Sequence, residues 1–140
     1  RGVIVYTGAV APEVMRAAEG LAGSEPGLAI LAITSSDALH RDWVQSTRAS
    51  VLNNNTSKSH VELLFQDLPR DARLVTVCDG HSLALSWLGT VQGNPVTPLG
   101  VEVFGQTGDL VDLYRYHQLD SEAILSAYHN RSKGQAEAVP

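Results

Sequence analysis

Four short apolar runs, each bounded by turn residues and each followed by a stretch with helical spacing, constrain this chain more than any other feature. They are Gly2 to Tyr6 (GVIVY), Leu28 to Ile33 (LAILAI), Leu74 to Cys78 (LVTVC) and Leu99 to Phe104 (LGVEVF). Near-continuous apolar character of this kind is what a strand covered on both faces requires. After the first run, Pro12 suits a first helical turn, and Val14, Ala17, Ala18 and Leu21 recur at i, i+3, i+4 and i+7 before Gly23 and Pro26 end the pattern. Strand, helix, strand at this spacing reads as a right-handed parallel crossover. Repeated down the chain, the alternation predicts a three-layer α/β/α domain around a mostly parallel sheet. The simplest doubly wound strand order is 2-1-3-4.

The remaining helices follow from caps and stripes. Ser35 and Ser36 can start a helix carrying Leu39 and Trp43, which fades by Arg48 into a polar loop over Asn53 to Ser57. Ser59 and Glu62 form a capping box ahead of Val61, Leu64, Phe65 and Leu68, and Pro69 stops that helix. Ala84, Trp87, Leu88 and Val91 make the next stripe, closed by Gly93, Asn94 and Pro95. Asp109 can cap a helix whose expected buried face is Leu110, Leu113, Tyr114 and His117. Asp120 can cap the last, with Leu119 and Ile124 as a hydrophobic staple and Ile124, Leu125 and Tyr128 facing inward. Residues 131–140 lack periodicity and read as a flexible tail after a single domain over 1–130.

Composition narrows the class of function. In 140 residues, 44% are hydrophobic and 18% charged, a balance that supports one core. The net charge of −5 argues against nucleic acid or an anionic membrane as a partner. No run approaches the roughly 20 apolar residues of a membrane span. The single Cys78 has no disulfide mate and lies in an apolar run, so a buried small hydrophobe in a reducing cytoplasm is expected. The chain opens at Arg1, without Met, almost directly into a strand, which suggests part of a longer protein.

Chemistry-bearing residues are few. Gly105-Gln106-Thr107-Gly108 sits at a strand-to-helix turn where backbone N–H groups could cradle phosphate. The Walker ending is missing, however, and Asp109 and Asp112 put two carboxylates where an anion would bind. Asp79, His81 and Ser82 include the residue types of a hydrolytic triad, but groups so close at one helix start rarely align, and Asp79 and Ser82 suit capping better. His81, at the carboxyl end of a strand, is the candidate site residue, lining either a catalytic site or an interface. His117 reads as half-buried, and His40, His60 and His129 as solvated; none has metal-ligand spacing to an acid or thiol. Tyr114, Arg115 and Tyr116 form an aromatic and basic cluster that suits an interface.

Taken together, several of these stretches resemble the C-terminal domain of the transketolase superfamily of thiamine-diphosphate enzymes. They are Asp79-Gly80-His81, Leu85 and Leu88, Leu99-Gly100-Val101, Phe104 to Gly108, Asp112-Leu113-Tyr114, and Leu119-Asp120 with Ile124. Val3 to Gly8 with Glu13-Val14 and Ala17-Ala18 is similar to the opening of that domain. The homodimeric pyruvate dehydrogenase decarboxylating component is the nearest type, though this chain has Ser82-Leu83 where such sequences tend to carry a second His. The resemblance spans about residues 2 to 130. It implies a five-stranded mixed sheet whose antiparallel edge strand lies upstream of Arg1. It also implies thiamine diphosphate and Mg²⁺ held by other domains of a full-length enzyme and none by this one. The implied role is structural: pairing in a homodimer, with docking to a dihydrolipoyl acyltransferase component. Two alternatives stay open, a transketolase proper and a stand-alone, non-catalytic α/β interaction module.

Overall fold

In the computed structural model, which describes residues 2–130, the strand β1 (Gly2–Thr7) lies at the centre of a four-stranded parallel sheet of order β2-β1-β3-β4. β2 is Ala29–Ala32, β3 is Arg73–Cys78 and β4 is Val96–Leu99. β1 pairs with β2 from Val3↔Ala29 to Tyr6↔Ala32 and with β3 from Gly2↔Arg73 to Thr7↔Cys78. Alternate residues therefore face opposite layers. Ile4, Val75 and Val77 meet α1 (Ala11–Leu21) and α6 (Ser121–His129) on one face through Val14, Ala17, Leu21, Ile124, Ala127 and Tyr128. Val3, Val5, Leu74 and Cys78 face the other layer, α3 (His60–Phe65), α4 (Leu83–Ser86) and the 3₁₀ turn after it (Trp87–Thr90), through Val61, Phe65, Leu85 and Leu88. At about 1.5–3 kcal/mol for each fully buried aliphatic or Phe side chain, these two clusters are the main stabilising term.

The predicted three-layer class and strand order hold, and so do the local stops and starts around the core. Asp120 accepts from Ala123 N–H at 3.1 Å, and Leu119 and Ile124 are both buried as a staple requires. Ser59 donates to Glu62 through both N–H (2.7 Å) and Oγ–H (2.6 Å), which closes the start of α3. Cys78 is buried as expected. Burial pushes its thiol up from the ordinary value, and Asp79 acts in the same direction against a hydrogen bond from Gly80 N–H.

Five expectations need correction, all away from the centre. The run Leu99 to Phe104 is not the fourth strand: β4 is Val96–Leu99, and no regular element forms over 100–109. The chain leaves the sheet because Val101 N–H donates to Gly80 O at 2.7 Å, drawing it over the β3 end, while Glu102 to Leu110 stay exposed. β2 is an edge strand, not a buried one, with Ala29, Ile30 and Ala32 all exposed. Helix α2 (Ser36–Asn53) runs well past Arg48 and buries no residue; Leu39 and Trp43 only half-pack, Trp43 stacking on Trp87 at 5.3 Å. The stripe after β3 is α-helical only over α4 and tightens to a 3₁₀ turn at Trp87–Thr90, leaving Ala84 exposed. In α3, Leu64 turns outward beside Leu63. The tail expected over 131–140 lies outside the described residues.

Candidate functional site

In a sheet of this order the strand sequence reverses between β1 and β3, and the crevice beyond their carboxyl ends is where open α/β domains place ligands. Thr7-Gly8-Ala9 leaves β1 there, and Asp79-Gly80-His81 leaves β3. Asp79 Oδ2 accepts from Ala9 N–H at 2.9 Å, so a carboxylate from one turn is seated on the backbone of the other across 70 residues. Gly8 adopts φ +87°, and a Cβ there would fall on the Asp79 carboxylate, so this position requires glycine twice over. Asp79 is thus not a helix cap, as its position suggested; it locks two turns together.

His81 stands on the exposed rim of the same crevice. Its Nδ1 accepts from Leu83 N–H at 3.2 Å, which puts the proton of the neutral ring on Nε2, aimed at Glu102 Oε2 3.1 Å away. Both ring nitrogens are therefore engaged. Ser82 is buried and joins neither His81 nor Asp79, so the triad residue types do not assemble into a nucleophile, base and orienter. A Cβ on Gly100 would strike the Ser82 backbone, and this close approach fixes the 100–109 loop against the start of α4.

The other wall is α5 (Leu110–Tyr116), capped as predicted by Asp109, which accepts from Asp112 N–H at 2.9 Å. Its expected buried face is only half-buried at Leu113, Tyr114 and His117, and Leu110 is 63% exposed. Among the described residues no layer lies beyond α5 to complete the burial. Tyr114 reaches back to donate to Ala9 O at 3.2 Å, tying α5 to the turn that Asp79 already holds. Between them lies a cavity of about 220 Å³ lined by Asp79, Val101, Phe104, Tyr114, His117 and Leu119. Tyr114 is accordingly a positioning residue, while Arg115 and Tyr116 point away from the crevice and are exposed.

The crevice brings together Asp79, Tyr114 and His117, with His81 and Glu102 paired outside its lining, and of these Glu102 and the Gly8-Ala9 seat were not legible as functional positions. A lone Gly after a buried strand was their one visible sign. A diphosphate does not fit these residues. Asp79 and Glu102 would repel it, Asp109 occupies the N-terminus of α5, and the Gly105 to Gly108 turn is exposed beside them. Among the described residues no group of three or more His, Cys, Asp or Glu is placed to hold a metal ion, and no helix is long and apolar enough to cross a membrane. No protein-family model and no curated protein matches the chain.

A second concave region lies on the far side of the sheet, along β2. Two adjoining hollows of about 400 and 370 Å³ share Leu31 and Leu64 and run between the edge strand and α3. Ala38, Leu39 and Asp42 of α2 wall the first, whereas no residue of α2 lines the second.

Proposed function

We propose that this chain is the C-terminal, structural and pairing domain of a larger thiamine-diphosphate enzyme of the transketolase superfamily. The type it resembles most is the homodimeric decarboxylating component that acts on a 2-oxo acid such as pyruvate and passes the acyl group to a lipoyl acceptor. One observation carries the reading: the residues on which the resemblance rests are those that build the carboxyl end of the sheet. Asp79 clamps Gly8-Ala9, Gly80 receives Val101, Gly100 abuts Ser82, Tyr114 ties the helix before the last to Ala9, and Asp120 caps the last helix. Residues that serve a shared architecture rather than one protein's surface are what a domain family would hold in common.

The bare edge supports the same reading. β2 has no charge and no proline, the usual protections of an edge strand, whereas Pro98 lies within β4 on the opposite edge. A further antiparallel strand from upstream sequence would pair β2 and roof the apolar hollows beside Leu31 and Leu64. In this reading the cofactor chemistry belongs to the other domains, and the isolated chain is catalytically silent.

The upstream reading frame of the gene provides the first test. A continuous frame encoding a G-D-G cofactor motif and an activating Glu is the expected result, and a start codon at the domain boundary would instead make this a stand-alone module. Calorimetry of the 140-residue chain with thiamine diphosphate and Mg²⁺ is expected to give no binding heat. Tight binding there would sink the proposal. With the full-length enzyme, a 2-oxo acid and ferricyanide should turn over, where a transketolase would need a ketose phosphate.

A further inference from the structure

We propose that the crevice at the carboxyl end of the sheet binds a small organic amine, a primary ammonium carried on a short aryl or branched alkyl body. The proposal is independent of the thiamine reading, and its test uses neither thiamine diphosphate nor metal.

The cavity combines a carboxylate with an apolar wall. Asp79 lines it from the turn after β3, and Tyr114 and His117 line it from α5 and its end. The Tyr114 hydroxyl is spent on Ala9 O, and Asp79 Oδ2 on Ala9 N–H. Asp79 Oδ1 accepts from no group among the described residues, so one oxygen of a carboxylate already fixed in place is free to receive a donor. The remaining wall is chiefly Val101, Val103, Phe104, Leu110, Leu113 and Leu119. Phe104 and Leu110 are 81% and 63% exposed, so an apolar body seated against them would cover surface that the fold itself leaves in water.

Charge decides the sign of the ligand and volume decides its size. No Lys or Arg lines the cavity. Glu102 and Asp109 are exposed on the loop that supplies most of the wall, and Asp112 on the first turn of α5, whereas Arg115 points away from the crevice. His81 is met by Glu102 at 3.1 Å. The field at this end of the sheet therefore favours a cation over a carboxylate or a phosphate, and the Phe104 ring adds a face on which an ammonium or an aryl group can rest. At about 30 Å³ for each water in the liquid, a cavity of about 220 Å³ has room for roughly seven. A ligand of about eight to ten non-hydrogen atoms fits that space, and a nucleotide does not.

Titration of the isotope-labelled 140-residue chain with phenethylamine, followed by amide NMR shifts at neutral pH and low salt, is the primary test. We expect saturable shifts centred on Asp79, residues 101–106 and residues 113–119, with a dissociation constant on the order of 1 mM. Phenethyl alcohol, which keeps the body and drops the charge, and phenylacetate, which reverses it, should bind about tenfold more weakly or not at all. N-acetyl-lysine amide puts the same charge on a straight stem and stands for a protein side chain; it should also bind more weakly than phenethylamine. Asp79→Asn keeps a side-chain oxygen for Ala9 N–H and should erase the preference for amine over alcohol. Phe104→Ala, at an exposed position, should weaken amine and alcohol alike by about threefold or more. Melting temperatures verify that both variants fold, and the ligand series on the unaltered chain decides the matter even if Asp79→Asn does not. Absence of saturable shifts up to about 20 mM phenethylamine overturns the proposal. So do shifts centred on the hollows along β2, an alcohol, phenylacetate or lysine amide that binds as tightly as the amine, or a folded Asp79→Asn variant with unchanged selectivity. None of these results bears on the thiamine reading, which is tested by cofactor binding and the upstream frame.

Discussion

The two helical layers of this sheet are built to different standards of closure. On one side α1 and α6 bury Val14, Ala17, Leu21, Ile124, Ala127 and Tyr128 against the centre of the sheet, and even a carboxylate is taken in. Glu13 is 8% exposed, accepts from Ser121 N–H at 2.8 Å and pairs with Arg16, so one charge serves the start of α6 and a surface cation together. On the other side α3 and α4 cover β1, β3 and part of β4, while none of the 18 residues of α2 is fully buried and β2 is mostly exposed. The difference shows where stability resides: in the strands with neighbours on both sides, and in the helices that lie across them.

The sharpest way to break this asymmetry is to cut one side chain from each layer. Ile124→Ala removes a fully buried side chain from the closed layer and should cost about 2–5 kcal/mol in chemical denaturation, because its neighbours cannot collapse into the gap. Trp43→Ala in the open layer should cost about 1 kcal/mol, since the half-exposed ring gives up mainly its stacking on Trp87. Equal losses at the two sites would contradict the contrast.

A pH series probes the closed layer a second way. Burial raises the Tyr128 phenol above its ordinary value, and Glu25, which accepts its hydrogen bond at 3.3 Å, acts in the same direction while Arg73 opposes it. A group whose pKa is higher folded than unfolded stabilises the fold fully below the unfolded value, about 10 here, and that contribution is lost as pH rises through the folded one. Cys78 behaves likewise from about 8.5 upward. Stability should therefore be level between neutral pH and about 8.5 and then fall. Tyr128→Phe should cost about 0.5–1.5 kcal/mol at neutral pH and flatten the fall above pH 10. An unchanged slope in that variant would show that Tyr128 does not titrate with folding.

How much of this was legible follows the same division. β1 and β3, α1 and α6, and the caps at Ser59, Asp109 and Asp120 could be read from periodicity and spacing, because burial on all sides leaves a continuous signal. β2 carries the same apolar run as β1, yet nothing within LAILAI says that a strand will have one neighbour instead of two. Residues 100–104 failed for a related reason: alternating Val101 and Val103 look like a strand until Val101 is bonded to Gly80. In the crevice, His81 was visible as a residue type, while its partner Glu102 and the seat of Asp79 on Ala9 depend on contacts between distant segments. In the sequence Asn94 reads only as turn punctuation. It is 4% exposed, and its amide nitrogen donates to Pro69 O, Arg70 O and Ala72 O, anchoring the approach to β4 to the approach to β3.

The smallest effect belongs to the far end of α2, where it tests the contrast most directly. Val51 and Leu52 are 79% and 78% exposed, on the last turn of a helix that ends at Asn54 in the left-handed conformation. If stability follows burial rather than hydrophobicity of sequence, Leu52→Ser removes no packed surface and should change unfolding free energy by less than about 0.5 kcal/mol. The residual change has a defined source, because Ser has a lower helix propensity than Leu by a few tenths of a kcal/mol, discounted near a fraying end. The same substitution at Leu21, a fully buried helical leucine of α1, would leave a cavity and a buried hydroxyl together. A loss at Leu52 that approached the one at Leu21 would mean that α2 is covered in solution, and the open layer would have to be redrawn as an occupied one.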